Sequence, residues 1–132
     1  MDPDEKARCP VCGMFVARYT AWLGQIRFQD DQVVWFDGAK DLFRFYFDVP
    51  RYAPGRTTNQ IRTLRVTDYY SVSQVDGYQC RYVIGSDILG PMGHELIPFA
   101  MDQAAQEFLR DHHGRQILTF EELATETLAH LE

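Results

Sequence analysis

The sequence lacks any apolar run approaching the ~20 residues that span a bilayer. It also lacks the opening of a secretory leader, since residues 1–6 are polar and acidic where an apolar segment is required. Basic residues are few: 13 Lys and Arg stand against 19 Asp and Glu, for a net charge of -6. Apart from a short stretch at residues 56–65 they are scattered. Nothing here draws a phosphate backbone, so no nucleic-acid partner is expected. Cysteine is scarce and odd in number, with two of the three in Cys9-Pro10-Val11-Cys12. One internal bridge at most can form, which excludes a disulfide-built scaffold. There is no Ser/His/Asp pattern, no phosphate loop and no motif of paired carboxylates, so the chain is expected not to be an enzyme.

What is present is enough for a core. The chain has 132 residues, 45% hydrophobic and 14% aromatic. A chain of this length buries roughly two thirds of its unfolded surface, and the composition argues against disorder. Residues 15–19 read as a short strand. Residues 25–28 and 33–36 flank a polar turn and predict a hairpin. Asp37 is placed to cap a helix whose Ala39, Leu42, Phe43 and Tyr46 share one face. A loop punctuated by Pro50, Pro54 and Gly55 runs to about residue 59.

Two β-rich runs follow, residues 64–72 and 78–84, separated by a turn ending in Asp76-Gly77. Residues 96–99 form a strand that Pro98 assigns to a sheet edge. Asp102 can cap a helix presenting Ala105, Phe108 and Leu109, closed by Gly114 in the left-handed conformation. Residues 116–118 give a last strand, and Thr119 with Glu122 makes a capping box for a final helix. Phe36 through Phe45 to Asp48 and Phe99 through Phe108 to Asp111 share their spacings, and a glycine–methionine loop precedes each. The expected fold is therefore α+β: two small repeated ββαβ-like units, residues 1–59 and 60–132, packed together with a C-terminal helix.

The chemistry concentrates in Cys9-Pro10-Val11-Cys12-Gly13-Met14. A C-x-x-C pair serves half a zinc site, a redox dithiol or a soft-metal site. A zinc ribbon needs a second such pair, and none exists; a structural zinc module would have to use Cys9, Cys12 and a histidine. A small thiol oxidoreductase would want a helix starting at the motif to lower a thiol pKa. Thiolate plus thioether selects Cu(I), and alternate residues of an extended segment let Cys12 and Met14 face one ion. Taken alone, Met14 as the inward-packed start of a strand is the plainer reading. Met92 sits in Gly90-Pro91-Met92-Gly93, either capping the core or presented as a ligand. His94 offers an imidazole, although a surface histidine is the plainer view. Cys80 reads as a buried structural thiol and Met101 as core.

Cys12-Gly13-Met14, Trp35-Phe36, the segment from Gly90-Pro91-Met92-Gly93-His94 to Pro98-Phe99, and His113-Gly114 ahead of Phe120-Glu121-Glu122 together resemble the NosL family over nearly the whole chain. That family comprises copper-binding accessory proteins of nitrous oxide reductase assembly. The resemblance implies two ββαβ-like units and a Cu(I) site with Cys12, Met14 and Met92 as ligands. Cys9 lies outside that set, as an added ligand or an oxidisable partner. The resemblance also implies an extracytoplasmic, periplasmic lipoprotein, joined to the membrane only through a lipid anchor that this chain does not show. Its implied partners are a copper-receiving enzyme or the associated membrane transporter assembly.

Overall fold

The computed structural model describes residues 3–131. After an N-terminal segment and two 3-10 turns, Val16–Arg18 and Thr20–Trp22, the chain forms β1 (Gly24–Phe28), β2 (Val33–Phe36), α1 (Ala39–Tyr46), α2 (Val49–Tyr52), β3 (Ile61–Thr67) and β4 (Gln74–Asp76). Then come β5 (Arg81–Ile84), β6 (Leu89–Gly90), β7 (Gly93–His94), β8 (Ile97–Phe99), α3 (Asp102–Asp111), β9 (Gln116–Thr119) and α4 (Thr125–Ala129). The result is an α+β fold with antiparallel sheets ordered β2-β1-β3-β4 and β8-β5-β9, and β6 and β7 form a separate small hairpin.

The two larger sheets share a connectivity. β1 pairs with β2, the chain passes through α1, and β3 returns to the other side of β1. Likewise β5 pairs with β8, the chain passes through α3, and β9 returns to the other side of β5. A division at residues 59 and 60 therefore leaves β3 behind the cut, although it completes the first sheet. One core also spans the halves. Phe28, Phe36, Phe43 and Phe45 pack in a cluster that includes Tyr82, Ile84, Leu96 and Leu118, and Phe43 meets the Tyr82 ring edge-on at 5.3 Å. Val83, Ile97, Phe99, Ala105 and Phe108 form a second cluster beneath α3.

The predicted hairpin is present in register, Gly24 opposite Phe36 and Arg27 opposite Val33. Pro98 lies on edge strand β8, whose one strand neighbour in the sheet is β5, and its carbonyl accepts the Tyr69 N–H at 3.0 Å. Several local expectations give way to long-range partners. In place of the expected strand at residues 15–19, Val16–Arg18 form a 3-10 turn, and Phe15 makes a single bridge to Arg8. Residues 74–76 are a strand paired with β3 rather than a turn, so the run at 64–72 and the run at 78–84 lie in different sheets. The left-handed residue after α3 is His113, at φ 56, not Gly114. Gly114 is needed for space, because a Cβ there would sit 2.7 Å from Leu109 Cδ1 and 2.8 Å from Val83 Cγ1. The Thr119–Glu122 capping box exists but heads a 3-10 turn, Phe120–Glu122, ahead of α4. Met101 is 67% exposed, not core. Neither Asp37 nor Asp102 caps its helix through its side chain.

Candidate metal centre

Residues 9–14 form a tight loop. Cys9 N–H donates to Met14 O at 2.9 Å, and Gly13 N–H donates to Cys9 O at 2.8 Å. Gly13 supplies the left-handed φ of 80° that the reversal requires. The loop is seated on the first turn of α1. Cys9 is 1% exposed and belongs to the main core, while Cys12 is half-buried. Docking is direct: Cys12 Sγ donates to Asp37 Oδ2 at 3.1 Å, and Cys9 Sγ to Asp41 Oδ2 at 3.6 Å. Asp37 and Asp41 are both buried. Asp37 precedes the extended N-cap Gly38 and Asp41 lies in the first turn of α1, so the two carboxylates flank the start of the helix. Donor atoms of Cys9, Cys12, Asp37 and Asp41 all lie within 4.8 Å of one another.

Burial and like charge govern this cluster's protonation. Burial pushes the Cys9 thiol up to about 11 against the pull of the Cys12 and Val11 amides, with the Asp41 and Asp37 charges adding to the rise. The Cys12 thiol is pushed up further, by burial and by its hydrogen bond to Asp37, against the Met14 amide. Burial also raises the Asp37 carboxyl, reinforced by Asp41 and opposed by the Cys12 hydrogen bond. The second oxygen of Asp41 faces Arg44 Nη1 at 3.8 Å. Thiols held protonated this way are poor nucleophiles and poor redox centres at neutral pH. They become strong donors when a thiophilic metal replaces their protons. A closed tetrahedral donor set has edges of about 3.3–3.8 Å, so small movements bring these four atoms onto one ion.

The other expected site residues are placed as follows. Met14 is half-buried and tied to Cys9 through its carbonyl. Met92 is 43% exposed at the tip of the β6–β7 hairpin. Its carbonyl accepts from Lys40 Nζ at 3.0 Å, so the hairpin abuts the first turn of α1, which also carries Asp41. His94 is exposed on β7, and among the described residues no histidine joins the cluster. Cys80 is buried apart, with Sγ 3.3 Å from Asp76 O. Sequence reasoning missed Asp37 and Asp41 as site residues. Two acidic residues flanking the helix start were the available signal, but Asp37 also satisfied the pattern of a helix cap.

An α+β fold that gathers two thiols and two carboxylates at the start of a helix, beside a methionine hairpin, has the donor set of a candidate mixed sulfur-and-oxygen metal site. The NosL family model matches residues 1–128, and the chain belongs to the NosL family. The crystal structure of the copper chaperone NosL from Shewanella denitrificans has the same fold, with a TM-score of 0.78 at 21% sequence identity, covering 96% of each chain. No curated protein matches the sequence.

Proposed function

We propose that this chain is a metallochaperone that binds one Cu(I) ion and hands it to a copper enzyme, nitrous oxide reductase being the client implied by its family. The observation that carries the reading is the convergence of the Cys9 and Cys12 thiols at the first turn of α1. Two thiolates supply the charge and softness that Cu(I) selects, and the Met14 and Met92 thioethers are the further donors. This moves Cys9 from an added ligand to an equal partner of Cys12. His94 remains the least supported candidate. The carboxylates are hard donors that Cu(I) does not favour. Their charge makes the thiolates costlier, so the ion is held less tightly than by a bare dithiolate, as suits a carrier. Because Cys12 is the more exposed sulfur, an incoming ligand from the acceptor meets it first, and Cys9 lets go last.

The function is carriage, not catalysis. The protein works on the outer face of the cytoplasmic membrane, held there by a lipid anchor. No helix among the described residues is long and apolar enough to cross a membrane. Anaerobic Cu(I) titration against a chromophoric chelator tests the reading: one ion per chain is expected, with tight binding lost in Cys12→Ser. Wild-type affinity in that variant would sink the assignment.

A second reading comes from the two carboxylates, which complete a four-donor set suited to a divalent ion such as Zn(II). Direct competition separates them. Cu(I) displacing Zn(II) supports the carrier, and Zn(II) retained against Cu(I) supports a structural zinc centre.

A further inference from the structure

Two buried ionisable side chains next to the metal centre belong to neither the thiols nor the carboxylates that face them. Lys40 is 3% exposed and Glu95 is 5% exposed. Glu95 Oε1 accepts the backbone N–H of Lys40 at 2.6 Å and that of Leu96 at 2.8 Å. Glu95, from the second half of the chain, thus fills the capping role at α1 that Asp37 leaves open. Lys40 in turn sends its ammonium to the Met92 carbonyl. The pair grips residues 90–95 twice, Glu95 at the base of the hairpin and Lys40 at its tip.

The surroundings are shaped for this contact. A Cβ at Gly38 would run into the Glu95 carboxylate, and a Cβ at Gly90 would lie 3.2 Å from Glu95 Cγ. Burying a lysine to reach one carbonyl is costly, and α1 gains no cap from it. The benefit lies in order. Residues 90–93 are glycine-rich, and a free loop of that kind loses much conformational entropy when it closes on a ligand. A clamped loop has lost it already, at folding.

We infer that Lys40 and Glu95 are positioning residues that fix the Met92 hairpin against the thiol–carboxylate cluster, presenting the Met92 thioether to the ion held by Cys9 and Cys12. The inference rests on the Cu(I) reading above. It requires that the clamp act through Met92, and that hairpin order exist before the metal arrives.

Both requirements are measurable. The variant pair Lys40→Met with Glu95→Gln removes both ionisable groups and keeps an acceptor for the α1 amide. In metal-free protein, amide hydrogen exchange at residues 90–94 should rise at least 10-fold, with residues 9–14 unchanged. Unchanged exchange at 90–94 overturns the clamp. In the copper arm, the paired variant should weaken Cu(I) binding by about 10-fold, as a supporting-shell change does, and Met92→Leu should do the same. Adding Met92→Leu to the paired variant should cost nothing more, and X-ray absorption should show one sulfur fewer in both. Lys40→Arg, which keeps a donor for the carbonyl, should recover most of the affinity. Losses that multiply in the triple variant, or wild-type affinity and sulfur count in the paired one, overturn the inference and leave the copper reading standing. A wild type that binds no Cu(I) overturns the copper reading and with it the presentation of Met92.

Discussion

The two helix starts of this fold receive the same gift from across the molecule and answer it differently. At α1 the buried Glu95 accepts the Lys40 and Leu96 amides. Ahead of α3, Asp68 accepts the Ala100 amide at 2.8 Å together with the amide and hydroxyl of Ser71. Burial pushes the Glu95 carboxyl up to about 8, against its two amides and the Lys40 charge. Burial acts on Asp68 too, but the donors from Ala100, Ser71 and Tyr70 outweigh it and hold that carboxyl below its ordinary range. Depth and donor count decide the sign. The α3 end is built for stability: its counterparts of Asp37, Lys40 and Asp41 at the matching spacings are Ala100, Gln103 and Ala104, none of them buried. The α1 end buries three ionisable side chains, Asp37 just ahead of the helix and Lys40 and Asp41 in its first turn, and two of them face the Cys9 and Cys12 thiols.

The sharpest way to break this contrast is at the sulfurs. Cys9→Ser and Cys12→Ser should each lower Cu(I) affinity by more than about 100-fold, beyond what supporting-shell changes achieve. A Cys9→Ser protein that binds nearly as well as wild type would return Cys9 to a minor role. Proton release comes next. With both thiols raised above their ordinary pKa, metal entry expels two protons, so Cu(I) affinity should climb about 100-fold per pH unit between pH 6 and 8. A slope near 10-fold would mean that one thiol alone is displaced.

The carboxylates supply the smaller effects. Glu95 holds its proton more tightly folded than unfolded, which favours the fold in acid, and the advantage fades as pH rises from the ordinary 4.5 to about 8. Metal-free wild type should therefore lose on the order of a few kcal/mol across that window, most of which Glu95→Gln should abolish. Chemical denaturation at a series of pH values reads this directly. Asp68 runs the other way. Its lowered pKa contributes stability above the unfolded value, lost as pH falls through the folded one. Asp68→Ala should cost about 1–3 kcal/mol at neutral pH and less in strong acid. Met101→Ala, at the exposed start of α3, should stay within about 0.5 kcal/mol; a larger loss would show that this end carries more than it shows.

Much of this was legible from periodicity and punctuation. Alternation around residues 29–32 located the β1–β2 hairpin, Pro98 located an edge, and the Cys9-to-Met14 segment located the centre. Local patterns failed where a distant partner outbid them. Asp37 has every local reason to cap α1, but a thiol 25 residues away claims its carboxylate. Residues 74–76 look like the approach to an Asp-Gly turn until β3 offers them a ladder. Lys40 and Asp41 lie off the apolar face read from the sequence, and both are buried where the loop and hairpin contact them. Cys9, on a polar tail with few apolar neighbours in sequence, is core because residues 9–14 fold back onto α1.

One glycine of that loop remains informative. Gly13 is left-handed at φ 80°, and a Cβ built on it meets nothing within 4 Å. The space is open and the handedness alone is restrictive, so the position should discriminate between mirror images of alanine. L-alanine would be forced into a backbone region that disfavours it. D-alanine, introduced by chemical ligation of a short N-terminal peptide, would find the native conformation its preferred one and would narrow the unfolded chain's choices. The L-alanine methyl meets no contact, so its cost is one of backbone conformation alone. The gap between the two stereoisomers' metal affinities would therefore measure how far the sulfur loop depends on being wound before the ion arrives.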